Sequence, residues 1–227
     1  MRRLACGLLR DQSGATLVEF TYITPLFLVL TFGLVEFGNA FWQWNQAAKA
    51  AELGARLAAV SDPLWTALSS LKGTENGNSN AVAGATWPAS DNYGVSCSGV
   101  TSPPTCSAIS GTAGLVGQAA TSSTTALNNI VYGRGQTSCG ALGADHFPGM
   151  CDLFRRITPA NVIIEYRYSG LGYVMRPEGP IPTIVLKLTG LTFQFVALNK
   201  LLGLSAITMP DFKVTITGED IKSAAPS

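Results

Sequence analysis

Gly14-Ala-Thr-Leu-Val-Glu19 opens the stretch on which the reading of this chain turns, and the apolar run behind it continues to about Trp44. The uncharged window from Phe20 to Val35 is built from Phe, Leu, Ile, Val, Thr and Tyr, interrupted by Pro25 and Gly33, and it is bracketed by Glu19 and Glu36. A helix needs roughly 20 apolar residues to cross a bilayer. A span drawn from Ala15 to Trp44 therefore brings Glu19 or Glu36 to the lipid boundary, where a carboxylate is costly. An ordinary signal anchor gives no reason to place an acid five residues into its apolar segment. Glu19 asks for an explanation of its own.

Outward from this stretch, Arg2, Arg3 and Arg10 cluster before the apolar run and no comparable cluster follows it. The positive-inside rule then puts the N-terminus in the cytoplasm and the bulk of the chain outside. A cleaved secretory peptide is the competing reading. The apolar region is long for one, and Gly38-Asn-Ala40 is only an approximate small-x-small site. The expected organisation is a basic leader over 1–14, a transmembrane helix over 15–44 and a periplasmic domain over 45–227. Phe41, Trp42 and Trp44 suit an aromatic belt at the outer interface. Gln46 to Val60 is rich in helix formers, with Leu53, Leu57 and Val60 on one stripe and Glu52 four residues before Arg56. One helix over 15–61 follows, with Pro25 able to kink it and Ser61-Asp62-Pro63 ending it.

Residues 69–150 lose periodicity. Gly, Ser, Thr, Asn and Ala dominate, with turn signals at Glu75–Ser79 and Ser102–Thr105. Loops and short elements are expected there, with one helix somewhere between Leu115 and Tyr132. From Asn161 the text becomes β-branched and aromatic. Val162–Tyr168, Pro182–Thr189, Leu191–Val196 and Pro210–Thr217 read as strands, a β-rich stretch over 161–217. Three or four such strands predict an antiparallel sheet with one face on a helix, an α+β fold.

Chemistry is sparse. The chain has 227 residues, 13% of them charged, and a net charge of +1, which gives no electrostatic case for nucleic acid. Cys6 lies in the leader; Cys97, Cys106, Cys139 and Cys151 fall in the loop-rich part. An even count in an oxidising compartment reads as two disulfides. Sequence leaves the connectivity open, although Cys97–Cys106 and Cys139–Cys151 close the shortest loops. Cys139, His146 and Cys151 are spaced unlike any standard zinc site, so no metal or other cofactor is expected. His146 is the only histidine, which removes most acid–base and triad schemes. An enzyme is not expected.

The basic leader, Gly14, the apolar residues after it and Glu19 resemble the prepilin cleavage-and-assembly signal of type IV pilin-like proteins. Glu19–Pro25 and Phe32–Gly38 resemble more specifically the TadE/TadG-like proteins of the tight-adherence pilus system. The resemblance covers about Arg10 to Ala59. It implies a minor pseudopilin in the bacterial inner membrane, cut between Gly14 and Ala15 by a prepilin peptidase. It further implies that the new N-terminal amine of a neighbouring subunit pairs with Glu19, giving a buried charge its partner. Ala15 replaces the Phe that commoner type IV pilins carry after the cut, so no N-methylation is carried over. The resemblance also implies a pilin-like layout, with a helix half in lipid and half on the C-terminal sheet. Its implied partners are other pilins, pilus assembly membrane proteins and the bilayer, and its implied setting is cell adhesion. The face with Ala47, Ala51, Ala55 and Ala58 is expected to pack on other helices. The alternative is an uncleaved, signal-anchored envelope protein that binds a ligand or partner.

Overall fold

The computed structural model describes residues 13–75, 82–111, 121–140, 147–203 and 205–218. One helix, α1 (Ser13–Val60), occupies the N-terminal quarter. The loop-rich part contains strands β1 (Tyr93–Ser98) and β2 (Thr105–Gly111), then helices α2 (Thr124–Tyr132) and α3 (Met150–Leu153). Beyond them come β3 (Val162–Leu171), β4 (Ile181–Leu188), the two-residue β5 (Thr192–Phe193), helix α4 (Ala197–Leu202), the two-residue β6 (Ile207–Thr208) and β7 (Phe212–Thr217). The fold is α+β. By contacts the chain divides into two compact units. One holds α1 up to Gln43 together with Thr192–Ile207; the other runs from Trp44 to Leu191 and resumes at Thr208.

In the larger unit the sheet is antiparallel throughout, in the order β2-β1-β3-β4-β7. The period-2 alternation puts Val162, Ile164 and Tyr166 of β3 beside Ile184, Leu186 and Leu188 of β4 on one buried face. Residues 44–60 of α1 belong to this unit. They present buried Ala47, Ala50, Ala51, Gly54, Ala55 and Ala58. A Cβ placed on Gly54 would lie 2.8 Å from Met150 Cγ and 3.0 Å from Leu186 Cδ1. Trp44 packs against Phe212 of β7 with the rings tilted by 59° and their centroids 4.7 Å apart. The helix exit is fixed by a buried hydrogen bond in which the Leu64 N–H donates to the Tyr166 hydroxyl at 2.8 Å. Burial pushes the Tyr166 phenol well above its ordinary value, and the Leu64 hydrogen bond opposes this only in part.

Several expectations change. Leu53 and Leu57 are only half-buried and Val60 is exposed, so the seam of the helix is made of small residues. Alanine and glycine let the backbone come close, and Met150 and Leu186 fill the space from the other side. The proposed face for neighbouring helices, Ala47, Ala51, Ala55 and Ala58, is thus consumed inside the chain's own core. Glu52 pairs with Lys49 at 3.1 Å. Residues 69–150 hold the short elements expected among loops, and one of them, β1, lies inside the sheet, paired on both sides. Tyr93, Val95 and Cys97 alternate with Gly94, Ser96 and Ser98, but this short run is embedded in a Gly- and Ser-rich stretch and holds a single β-branched residue, Val95. Of the helix expected between Leu115 and Tyr132, the part over Thr124–Tyr132 is present, capped by the Ser123 hydroxyl accepting from the Ala126 N–H; residues 112–120 lie outside the described residues. Leu191–Val196 is not a strand of the main sheet; β5 pairs only with β6.

Cys97 and Cys106 face each other across β1 and β2 and are joined by a disulfide, with their Cα atoms 4.0 Å apart. A second disulfide joins Cys139 to Cys151 of α3, across 5.8 Å. Loops of this length correspond to about 3 kcal/mol of stabilisation each in the chain-entropy account.

On the opposite sheet face, Glu165 accepts from Arg167 Nη2 at 2.7 Å and from Lys187 Nζ. Burial disfavours the Glu165 charge, but the hydrogen bonds and charges of Lys187 and Arg167 outweigh it and hold the carboxyl below its ordinary 4.5. Its stabilisation is therefore complete above that value and is lost as the pH falls through the lower folded one. Glu165→Gln is expected to cost about 1–2 kcal/mol near neutral pH, discounted because both cations remain partly solvated. Denaturant titrations across the acid range should show the difference from wild type shrinking toward zero.

Candidate assembly site

From Thr16 to Gln46 the surface of α1 is an inversion of a soluble helix. Leu17, Phe20, Tyr22, Leu26, Phe27, Leu30, Leu34 and Val35 are all exposed. The segment is long and apolar enough to cross a membrane. Its hydroxyls suit that setting. Thr21 and Thr24 donate to the carbonyls of Leu17 and Phe20 at 2.7 Å, and Thr31 donates to Leu28 at 3.0 Å. Each donor is therefore satisfied within the helix, as hydrocarbon requires. Pro25 sits inside α1 without ending it.

The two acids behave differently. Glu36 is the single buried residue between Thr16 and Gln46, only 8% exposed. Its Oε1 accepts from the Val196 N–H at 2.7 Å and its Oε2 from the Leu198 N–H at 3.2 Å. Phe37 adds an edge-on contact with Phe195 at 5.7 Å, and Phe195 meets Phe193 at 5.0 Å. Glu19 is exposed among Leu17, Val18 and Phe20, and among the described residues it has no hydrogen-bond or ion-pair partner. The fold covers one carboxylate and leaves the other on the apolar surface.

Gly14 lies in the first turn of α1, and a Cβ added there would meet nothing within 4 Å. Nothing in the fold requires glycine at this position, although glycine in a helix costs about 1 kcal/mol against alanine. Gly14 and Ala15 both lie within the helix, five and four residues before Glu19. Residues 1–12, with Cys6 and the three arginines of the leader, lie outside the described residues. Phe41 and Trp42 are exposed as an interfacial belt would be, whereas Trp44 is taken up by its contact with Phe212.

His146 also lies outside the described residues. Cys139, Cys151 and Asp152 converge, but both sulfurs are spent in their disulfide and offer no thiolate. Sequence reasoning found Glu19 through its position and missed the role of Glu36, whose partners lie some 160 residues away.

The exposed apolar helix with an uncovered acid near its start is the feature that known families can be compared with. Residues 14–56 match the family of TadE-like proteins. The match begins at Gly14 and ends at Arg56, so the TadE-like segment takes in the candidate span and most of the alanine seam. It points to a component related to the Tad pilus. No curated protein and no solved structure matches the chain.

Proposed function

We propose that this chain is a minor pseudopilin-like component of a tight-adherence pilus system. It is made as a single-pass inner-membrane precursor, N-terminus in the cytoplasm, and cut between Gly14 and Ala15 by a prepilin peptidase. In this reading α1 is the assembly element and Glu19 is its contact. The carboxylate receives the new N-terminal amine of a neighbouring pilin or pseudopilin within the apolar layer. The role is structural rather than catalytic. The observation that carries the reading is the contrast between the two acids: Glu36 is covered by the chain itself and Glu19 is left for another molecule. A charge in that layer is tolerated when paired. The TadE-like match over 14–56 supports the same reading.

The test is the N-terminus of the protein purified from membranes, beside a Gly14→Leu variant. The expected result is a mature chain beginning at Ala15, and an uncut precursor for the variant, because a bulky side chain obstructs the peptidase subsite. A Met1 start in both, with a cognate peptidase present, would sink the processing step and favour an uncleaved, signal-anchored envelope protein.

A further inference from the structure

The stretch between β4 and β7 groups with the candidate span rather than with the sheet. We infer that Thr192–Ile207 is a second lipid-contacting element, lying in the bilayer leaflet on the Glu36 side and sealing the Glu36 carboxylate from hydrocarbon. The inference rests on the reading of α1 as a membrane span.

Three observations carry it. The first is depth. At 1.5 Å per residue, Glu36 lies about 24 Å along the helix from Phe20, near the far edge of a hydrocarbon layer about 30 Å thick. A bare carboxylate there is penalised, and the Val196 and Leu198 amides supply the donors that water would otherwise provide. The second is the outer surface of the segment. Phe193, Phe195 and Leu198 are buried, while Val196, Leu202 and Ile207 are 68%, 56% and 51% exposed. These apolar side chains join the exposed Phe32, Val35 and Phe37 of α1 in a single unit. The third is charge. Lys200 is the only charged residue in Thr192–Ile207 and it is exposed, as suits a long cationic side chain reaching from an apolar layer to lipid phosphates. A cleft of about 230 Å³ opens beside Glu36, lined by the apolar Phe32, Val35, Phe193 and Val196 together with the polar Asn39 and Gln194, a mostly apolar groove. Its apolar surface continues that of the span, so lipid is the occupant.

The experiment places an environment-sensitive fluorophore on single cysteines in the full chain, with Cys6→Ser and both disulfides kept. The sites are Val196→Cys, Leu202→Cys, Leu30→Cys in the span and Val100→Cys in the sheet unit, all exposed positions. The chain is reconstituted in phosphatidylethanolamine–phosphatidylglycerol vesicles that carry nitroxide lipid, labelled either near the headgroup or near the chain end. Leu30 should be quenched best by the chain-end nitroxide. Val196 and Leu202 should be quenched best by the headgroup-proximal one, at least about twofold more than Val100. Quenching at Leu30 with Val196 and Leu202 no better quenched than Val100 would overturn the inference and leave the span standing. Shielding of both sites from lipid and aqueous quenchers alike would also overturn it, showing a second copy or another protein on this face. No lipid quenching at Leu30 would remove the span itself and the inference with it.

Discussion

Glu19→Ala is expected to leave the folded chain unchanged and to abolish its association with neighbouring pilin-like subunits. Glu19 is exposed and makes no interaction among the described residues, so its removal deletes nothing from the monomer. Surface changes of that kind stay within about 0.5 kcal/mol in stability. In the proposed assembly the same carboxylate is one half of a desolvated ion pair, and breaking such a pair from one side costs about 3–5 kcal/mol. A loss of about two to three and a half orders of magnitude in association follows at about 1.4 kcal/mol per tenfold. Cross-linking in membranes against the other pilins of the system, beside a thermal melt of the purified chain, reads both quantities. Glu36→Ala supplies the contrast. It strands the Val196 and Leu198 amides, so its primary effect should fall on the folded chain. If Glu19→Ala unfolds the protein, or leaves cross-linking intact, the role given to Glu19 is wrong.

Gly54→Val is expected to destabilise the larger unit by about 3 kcal/mol, the upper part of the range for forcing extra methyl groups into a filled core. The first added carbon already lies too close to Met150 and Leu186. Gly54→Ala should stay within about 1 kcal/mol of wild type, because Met150 is flexible and alanine is the better helix former. Urea denaturation of the oxidised chain in detergent measures both. A Met150→Ala change combined with Gly54→Val should recover part of the loss, since the two sites share one volume. Equal stability of Gly54→Val and wild type would mean that the alanine seam does not approach the sheet as described.

The long helix, its end before Pro63 and the strands β3, β4 and β7 were legible because each carries a strong local pattern. Helix formers dominate from Gln46 to Val60, broken by Gly54, and apolar and polar residues alternate along Phe212–Thr217. The small-residue seam was not legible. A stripe of leucines is read as a buried face by default, and nothing local shows that Met150 and Leu186 come to meet alanines instead. β1 escaped for a similar reason: the alternation of Tyr93, Val95 and Cys97 is short and set in a Gly- and Ser-rich stretch, and the pairings that make the strand are contributed from residues 105–111 and 163–167. At the candidate site Glu19 stood out by spacing alone. The cover of Glu36 did not, because the run around Leu198–Leu204 looks like any apolar stretch until its amides are placed against a carboxylate far earlier in the chain.

That separation has an order in time. The amides that receive Glu36 belong to residues 160 and 162 positions later. At 5–20 residues per second, synthesis reaches them on the order of ten seconds after Glu36 itself. If α1 is inserted as the proposed span, it enters the membrane with that acid still bare, and its cover forms only after β3 and β4 have been made. A nascent chain halted before Thr192 would carry a span whose far end is still hydrated by water rather than by its own backbone.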